Sequence, residues 1–507
     1  MNTADLAGQH FLVDVPGPEI TREVERLIRE GRIGGVILFA KNIRSAAQVR
    51  GLAADLQGIA SAAGLPPLFI SVDQEGGIVN RLTEGVTVFP GAMGIGASGR
   101  TEDAAAAGRM TALELRALGI NVNHAPVLDV NSDAANPIIG VRAFGDDPAA
   151  VARLGAAYVA GAQAAGLLVT PKHFPGHGAT TVDSHLTLPR VDKDLTGLRR
   201  EDIDPFAAAL AAGAGGLLTA HVVYPALDPD LPATLSPAII TTLLRGALGF
   251  GGVVFTDSMD MQAVSARWGR GPAAVKALAA GVDVVMACGP AQAQWASLEA
   301  VRMGAGTGAL EGGALEQSAA RLAEAKARYA GAGTPVPAFQ KQAHEAAAQE
   351  IADRAVTLVR DQTGCIPLRA QHAAVLHVGG DEWVAAPPRL GEELAALLPG
   401  VTLASGAGEI TGRPWDAVIV VSLSWRSYQG AGTIAALHQE FGGKLVVVGA
   451  GNPYELLRFP DVPAYLAAYG PDPASMRAAA KVLAGRLEPA GRLPVALAPL
   501  YPRGHAA

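Results

Sequence analysis

The sequence predicts a mixed α/β protein: a (β/α)8 barrel followed by a smaller α/β domain with a mostly parallel sheet. Three observations lead to this. Over the first two thirds of the chain, short β-branched runs alternate eight times with Ala/Leu-rich helical stretches, as successive βα units do. Polar side chains gather at the C-terminal ends of those runs, where the loops of a barrel converge. A Gly/Pro-rich stretch at 331–337 then precedes a second set of alternating elements. At 507 residues the chain is too long for one ordinary core. Periodicity does not show closure, so a doubly wound open sheet is the alternative for the first region.

Taken in order, the strands fall at 11–15, 35–39, 68–72, within 119–128, and at 167–170, 216–219, 253–256 and 282–286. Helical segments at 45–62, 104–118, 149–165 and 271–280 lie between them, and an Ala/Arg/Lys/Glu-rich helix at 318–332 closes the region. The division reads as a catalytic barrel over 1–332, a linker with a connecting helix over 333–355, and an α/β domain over 356–507. In the last, 373–378, 417–422, 445–448 and 464–468 are buried-strand candidates. Gly449-Ala450-Gly451 follows one of them but lacks the full spacing of a nucleotide loop.

Half the residues are hydrophobic, and the formal net charge is −7 with no basic stretch, which argues against a nucleic-acid partner. The two cysteines, Cys288 and Cys365, are far apart and suit reduced thiols; no metal-ligand spacing occurs. The N-terminus has neither the basic start nor the apolar run of a secretory signal, and no segment is long enough to span a bilayer. The expectation is a soluble cytoplasmic protein with no membrane partner. Nothing in the sequence sets the oligomeric state.

The chemistry is concentrated in 172–185. After an apolar run at 166–170, this segment packs Lys172, His173, His177, Asp183 and His185 around Pro175, Gly176 and Gly178. A strand-end loop this rich in titratable groups is a place for catalysis. Asp183 and His185, two residues apart, can lie on one side of a turn, where the carboxylate orients the imidazole as a general acid/base. Asp257 directly follows the strand Val253-Val254-Phe255-Thr256, so it points into the same end of the barrel. A carboxylate there can attack an anomeric carbon. Asp260 is its rival, but lies past the turn and is expected to cap the next helix. Asp73-Gln74-Glu75-Gly76-Gly77, with Arg81 downstream, offers a carboxylate for sugar hydroxyls and glycines for close approach. Gly140-Val141-Arg142-Ala143-Phe144-Gly145 adds a loop arginine. Asn123, His124, Asp129 and His221 also sit at strand ends.

Lys172-His173-Phe174-Pro175-Gly176-His177-Gly178 followed by Asp183-Ser184-His185 resembles the signature of bacterial β-N-acetylglucosaminidases of glycoside hydrolase family 3. The DQEGG segment with its arginine, the R-x-FG segment and the strand ending in Asp257 occur in that family's order. Segments 451–456 and 491–495 resemble the second domain of its longer members. One departure is Ser258, where the family's pattern has a second acidic residue.

The resemblance implies a retaining exo-β-N-acetylglucosaminidase acting on peptidoglycan-derived muropeptides, without metal or organic cofactor. It implies Asp257 as nucleophile, His185 as acid/base and Asp183 as its partner. Asp73, Arg81, Arg142, Lys172 and His173 would bind the sugar. Lys172 and the arginines are expected to keep Asp257 ionised. A glycosyl phosphorylase or transglycosylase on the same intermediate is the nearest rival, since histidine does not repel phosphate. A broad β-glucosidase and a non-catalytic sugar-binding protein are the others.

Overall fold

The computed structural model describes residues 3–307, 310, 312–331, 338–381, 384 and 387–507. Eight parallel strands form the first sheet: β1 (Phe11–Asp14), β2 (Gly35–Leu38), β3 (Phe69–Val72), β4 (Val122–Asn123), β5 (Leu168–Val169), β6 (Gly216–Leu218), β7 (Val253–Ser258) and β8 (Val284–Ala287). Their order is β5-β4-β3-β2-β1-β8-β7-β6. The remaining seam is bridged just past β5: the Leu218 amide donates to the Pro171 carbonyl at 3.0 Å, and the Phe174 amide to the Leu218 carbonyl at 2.9 Å. The sheet is therefore a nearly closed barrel, which removes the open edges.

Strand periodicity sorts the side chains. Leu12, Ile37, Phe69 and Val122 turn inward and share one core with Phe255 and Met286. Their neighbours Val13, Val36, Leu38 and Ile70 turn outward, under the helices. This two-sided burial explains why the strands read as unbroken apolar runs. The helix Gly312–Tyr329 sends Leu322, Ala325 and Tyr329 into the inner core and plugs the barrel at the end opposite the polar loops. Several helix starts follow local rules: the Ser45 hydroxyl caps Ala46–Ala62 by accepting from the Gln48 amide at 3.2 Å.

The second sheet has the order β9-β14-β13-β12-β10-β11, with β9 (Thr357–Asp361), β10 (Ala373–Gly379), β11 (Val401–Ala404), β12 (Ala417–Leu423), β13 (Leu445–Gly449) and β14 (Ala464–Ala467). Only the β9–β14 pair is antiparallel. Two of its strands, β9 and β11, are absent from the sequence-based reading. β9 ends in Arg360-Asp361, and β11 has an intermediate-to-exposed edge pattern, so neither presents an apolar run. The linker at 332–337 lies outside the described residues. Cys288 and Cys365 are free thiols.

The two sheets are joined by docking as well as by sequence. The helix Lys341–Ala355 packs on Ala92–Ser98 and Thr101–Ala117 of the barrel. Arg354 donates to both carboxylate oxygens of Asp103, at 3.1 and 2.7 Å, and His344 Nδ1 lies 2.7 Å from buried Glu114. Near the barrel mouth, Asn131 Nδ2 donates to the Tyr454 hydroxyl at 3.0 Å. This docking carries the C-terminal end of β12 to the barrel mouth, where Trp425 and Arg426 line the same cavity as the strand-end residues.

Candidate active site

A cavity of about 410 Å³ opens at the C-terminal rim of the barrel. Asp73 is the residue after β3. It accepts a hydrogen bond from Lys172 Nζ at 2.7 Å, and Arg81 lies 3.5 Å from its other oxygen. Two residues on, Glu75 accepts from Arg142 Nε at 2.9 Å and Nη2 at 2.8 Å, a bidentate pair, with Lys172 Nζ at 2.6 Å. One lysine thus bridges two carboxylates, and it is only 3% exposed. Burial pushes both carboxyls up, but the cations outweigh it. Lys172 and Arg81 hold Asp73 well below the usual carboxylate range, and Arg142 and Lys172 hold Glu75 at about 2. Burial opposes charge on Lys172, and Asp73 and Glu75 overcome this and raise it.

Both carboxyls are depressed on folding. Their contribution to stability is therefore present above the unfolded value of about 4 and is lost as pH falls towards the folded values. Lys172→Met is expected to cost about 3–5 kcal/mol at pH 7, because it removes the buried cation that bridges two buried carboxylates and leaves each with one arginine. The loss should shrink near pH 4, where carboxyls deprived of the lysine take up protons more readily than in the intact cluster. Urea unfolding at both pH values checks this; an equal loss at both would mean that Lys172 acts through packing alone.

The histidine loop is held from behind by Asp129. Its Oδ1 accepts the backbone N–H groups of His173 (3.1 Å) and His177 (2.7 Å), and its Oδ2 lies 2.7 Å from His173 Nδ1. A carboxylate only accepts, so Nδ1 carries the proton and His173 presents its other edge. A Cβ at Gly178 would lie 1.7 Å from the Val130 carbonyl oxygen, so only glycine lets the loop pass this close. His177 contacts the Thr180 hydroxyl at 2.8 Å and the Ser184 hydroxyl at 2.9 Å. Burial lowers His177 to about 4, which leaves it neutral near pH 7, an anchor for the turn that carries Ser184. On that turn, Asp183 Oδ1 accepts both the backbone N–H and the ring Nδ1–H of His185, each at 2.8 Å. The imidazole is oriented by its own neighbour two residues back.

Asp257 is the penultimate residue of β7 and accepts from the Ser258 amide at 2.7 Å. Burial would raise its carboxyl. The neighbouring His173, His221 and His185, with the Ser258 amide, outweigh that and hold it below the usual value. This corrects the expectation that Lys172 and the arginines do so; those cations are committed to Asp73 and Glu75. His221 is fixed between the Thr234 hydroxyl (2.8 Å) and the Ser258 carbonyl (3.0 Å). Ser258, at the departure from the family's pattern, thus contributes backbone on both sides. Asp260 does not cap the next helix, Gln262–Trp268, whose N-cap position is Met261 with no side-chain cap bond. It is ion-paired with Arg270 instead.

The structure brings Asp73, Arg81, Arg142, Lys172, His173, His185 and Asp257 to the cavity wall, with Asp183 directly behind His185. Asn123 and His124 are not on it. Asn123 exchanges hydrogen bonds with the Gln74 backbone, and His124 Nδ1 contacts the Thr170 hydroxyl at 2.9 Å. Glu75, Trp425 and Arg426 line the cavity without having been singled out from the sequence. Glu75 was hidden inside a motif whose first carboxylate drew the assignment. Trp425 and Arg426 also follow an apolar strand, but that strand belongs to the second sheet, and only the domain contact brings its end to this cavity. Among the described residues, no group of His, Cys, Asp and Glu side chains is arranged to hold a metal ion, and no helix is long and apolar enough to cross a membrane.

Residues 5–325 match the glycosyl hydrolase family 3 N-terminal domain and 276–500 its C-terminal domain. A β-hexosaminidase A of Pseudoalteromonas piscicida is 44% identical over 285 residues, 52% of this chain and 47% of that protein. The chain thus spans about half the length of that relative. A β-hexosaminidase of Xylella fastidiosa (strain M23) is 41% identical over 286 residues, 55% of this chain and 83% of that one. The solved β-N-acetylglucosaminidase from Paenibacillus sp. str. FPU-7 superposes with a TM-score of 0.93 at 37% identity, covering 98% of this chain and 99% of that one. With both domain models matched in order and the barrel-end cavity in place, the chain belongs to glycoside hydrolase family 3 and is a glycoside hydrolase.

Proposed function

We propose that this protein is a retaining exo-β-N-acetylglucosaminidase that removes terminal β-linked N-acetylglucosamine, with peptidoglycan-derived muropeptides as its substrates in the cytoplasm. The observation that supports it best is the pairing, on one cavity, of an ionised Asp257 with the Asp183–His185 couple. The names carried by its relatives supply the sugar.

In the first step the Asp257 carboxylate forms a bond to the anomeric carbon while the glycosidic bond breaks. His185, charged at the outset, gives its Nε2 proton to the departing oxygen and becomes neutral. In the second step His185 Nε2 takes a proton from water, the water oxygen bonds to the anomeric carbon, and the bond to Asp257 breaks. Two inversions give net retention. Asp183 keeps Nδ1 protonated, which makes Nε2 the nitrogen that exchanges the proton. Histidine stands where many glycosidases use a second carboxylic acid. Asp73, Arg81, Arg142, Lys172 and His173 hold the sugar, with Glu75 fixing Lys172 and Arg142. No step calls for a metal or an organic cofactor.

Chromogenic glycosides test the sugar assignment. The N-acetylglucosaminide is expected to exceed the glucoside in kcat/KM by at least ~10²-fold, because a polar site penalises an analogue that leaves its groups unpaired. Comparable efficiencies would move the assignment to a broad β-glucosidase. Running the reaction with and without inorganic phosphate separates hydrolysis from phosphorolysis: free sugar is expected in both, and a sugar 1-phosphate would establish the phosphorylase.

A further inference from the structure

Among the described residues, Arg426 carries the second domain to the proposed dyad. Arg426 lies three residues past the end of β12, and lines the cavity beside Trp425. Its backbone starts from a firm base. All seven residues of β12 are buried, Ser424 is buried, and the Ser424 carbonyl accepts the Asn452 amide at 2.6 Å. Trp425 is 5% exposed and lies 5.9 Å beneath the Arg142 guanidinium, which ties this turn to the sugar-binding cluster. From there Arg426 Nη2 comes to 3.8 Å from Asp183 Oδ2. The other carboxylate oxygen is fully used by His185. The barrel holds the turn from two sides: His177 on Ser184, and the Gln262 amide on the His185 carbonyl at 3.3 Å.

We propose that Arg426 is a positioning residue for the acid/base: the second domain uses it to hold the Asp183 carboxylate, and through Asp183 the imidazole of His185. This rests on the reading of Asp183–His185 as the acid/base couple. A carboxylate pinned at one oxygen only can swing about the bond to its ring partner. A guanidinium facing the second oxygen restricts that swing and neutralises charge at a half-buried site. Among the described residues, the other charged or titratable groups that reach the couple include Asp257 on β7, His221 after β6 and His177 behind Ser184. Arg426 is the cation among them with a permanent charge, so it opposes a second positive charge on the couple. Its removal is expected to move the alkaline limb of the kcat/KM profile upward.

The test uses the full-length protein with Arg426→Ala, Arg426→Lys and His185→Ala. Each is assayed on an activated aryl N-acetylglucosaminide and on a disaccharide with a basic leaving oxygen. Arg426→Ala is expected to lose roughly 10- to 100-fold in kcat on the disaccharide but less than about threefold on the aryl glycoside, part of the general-acid contribution. Its alkaline limb should rise by roughly half a pH unit. Arg426→Lys, which keeps the charge, is expected to restore the limb and much of the rate. Equal losses on both substrates with an unmoved limb would overturn the proposal. So would a raised KM for the disaccharide at unchanged kcat, which would make Arg426 a contact for the leaving group. If His185→Ala itself discriminates between the substrates while Arg426→Ala does not, the acid/base reading stands and the positioning role falls. If His185→Ala does not discriminate, the reading beneath both is wrong.

Discussion

Asp257→Asn is expected to lower kcat by on the order of 10³-fold or more, with sugar binding retained. An amide of the same shape cannot form the glycosyl bond, and a loss of that size corresponds to about 4 kcal/mol of barrel-imposed barrier lowering. The position favours the role. Asp257 extends β7, accepts its own neighbour's amide at 2.7 Å, and is held ionised by His173, His221 and His185 against the effect of burial. An activated N-acetylglucosaminide bearing a ring fluorine, which slows the second step, should label this residue. Peptide mapping reads the site. A label on Asp260 would reassign the nucleophile, although its ion pair with Arg270 already occupies that carboxylate. A product of inverted configuration would eliminate the covalent mechanism.

His185→Ala should slow substrates with poor leaving groups by ~10²–10⁴-fold and activated aryl glycosides far less, because a general acid matters most when the departing oxygen is basic. Steady-state rates across a leaving-group series measure this, and a uniform loss would remove His185 from the acid role. Asp183→Ala is expected to lose less and to shift the pH profile. It removes the carboxylate that accepts Nδ1–H at 2.8 Å, and with it both ring orientation and the charge that favours the imidazolium. Asp183 itself is held below the usual carboxylate range. Burial opposes this, but hydrogen bonds from the His185 ring and backbone outweigh it, with Arg426 adding to them, so the group stays charged through the working range.

The fold was legible because barrels write themselves into local patterns. Each strand of the first sheet is covered on both faces, so each reads as an apolar run, and each hands its next polar residue to one rim. β9 and β11 were missed for the converse reason: an edge strand with a charged or exposed face leaves no apolar signature. Asp183 and His185 were legible as a couple because two residues of one turn need no long-range information to meet.

What the sequence determined by itself was the chemistry available: a carboxylate at the end of β7, an imidazole with its own carboxylate, and a set of cations on neighbouring loops. What only the tertiary structure decided was which charge serves which. Lys172 and Arg142 are spent on Asp73 and Glu75, and it falls to histidines to keep Asp257 ionised. The presence of Trp425 and Arg426 at the site was equally undecided, since they lie more than 160 positions from Asp257 in the chain. Electrostatic partners are fixed by distances of a few ångströms across separate strands and across the domain contact. Those distances depend on barrel closure and docking, which no local window of sequence contains.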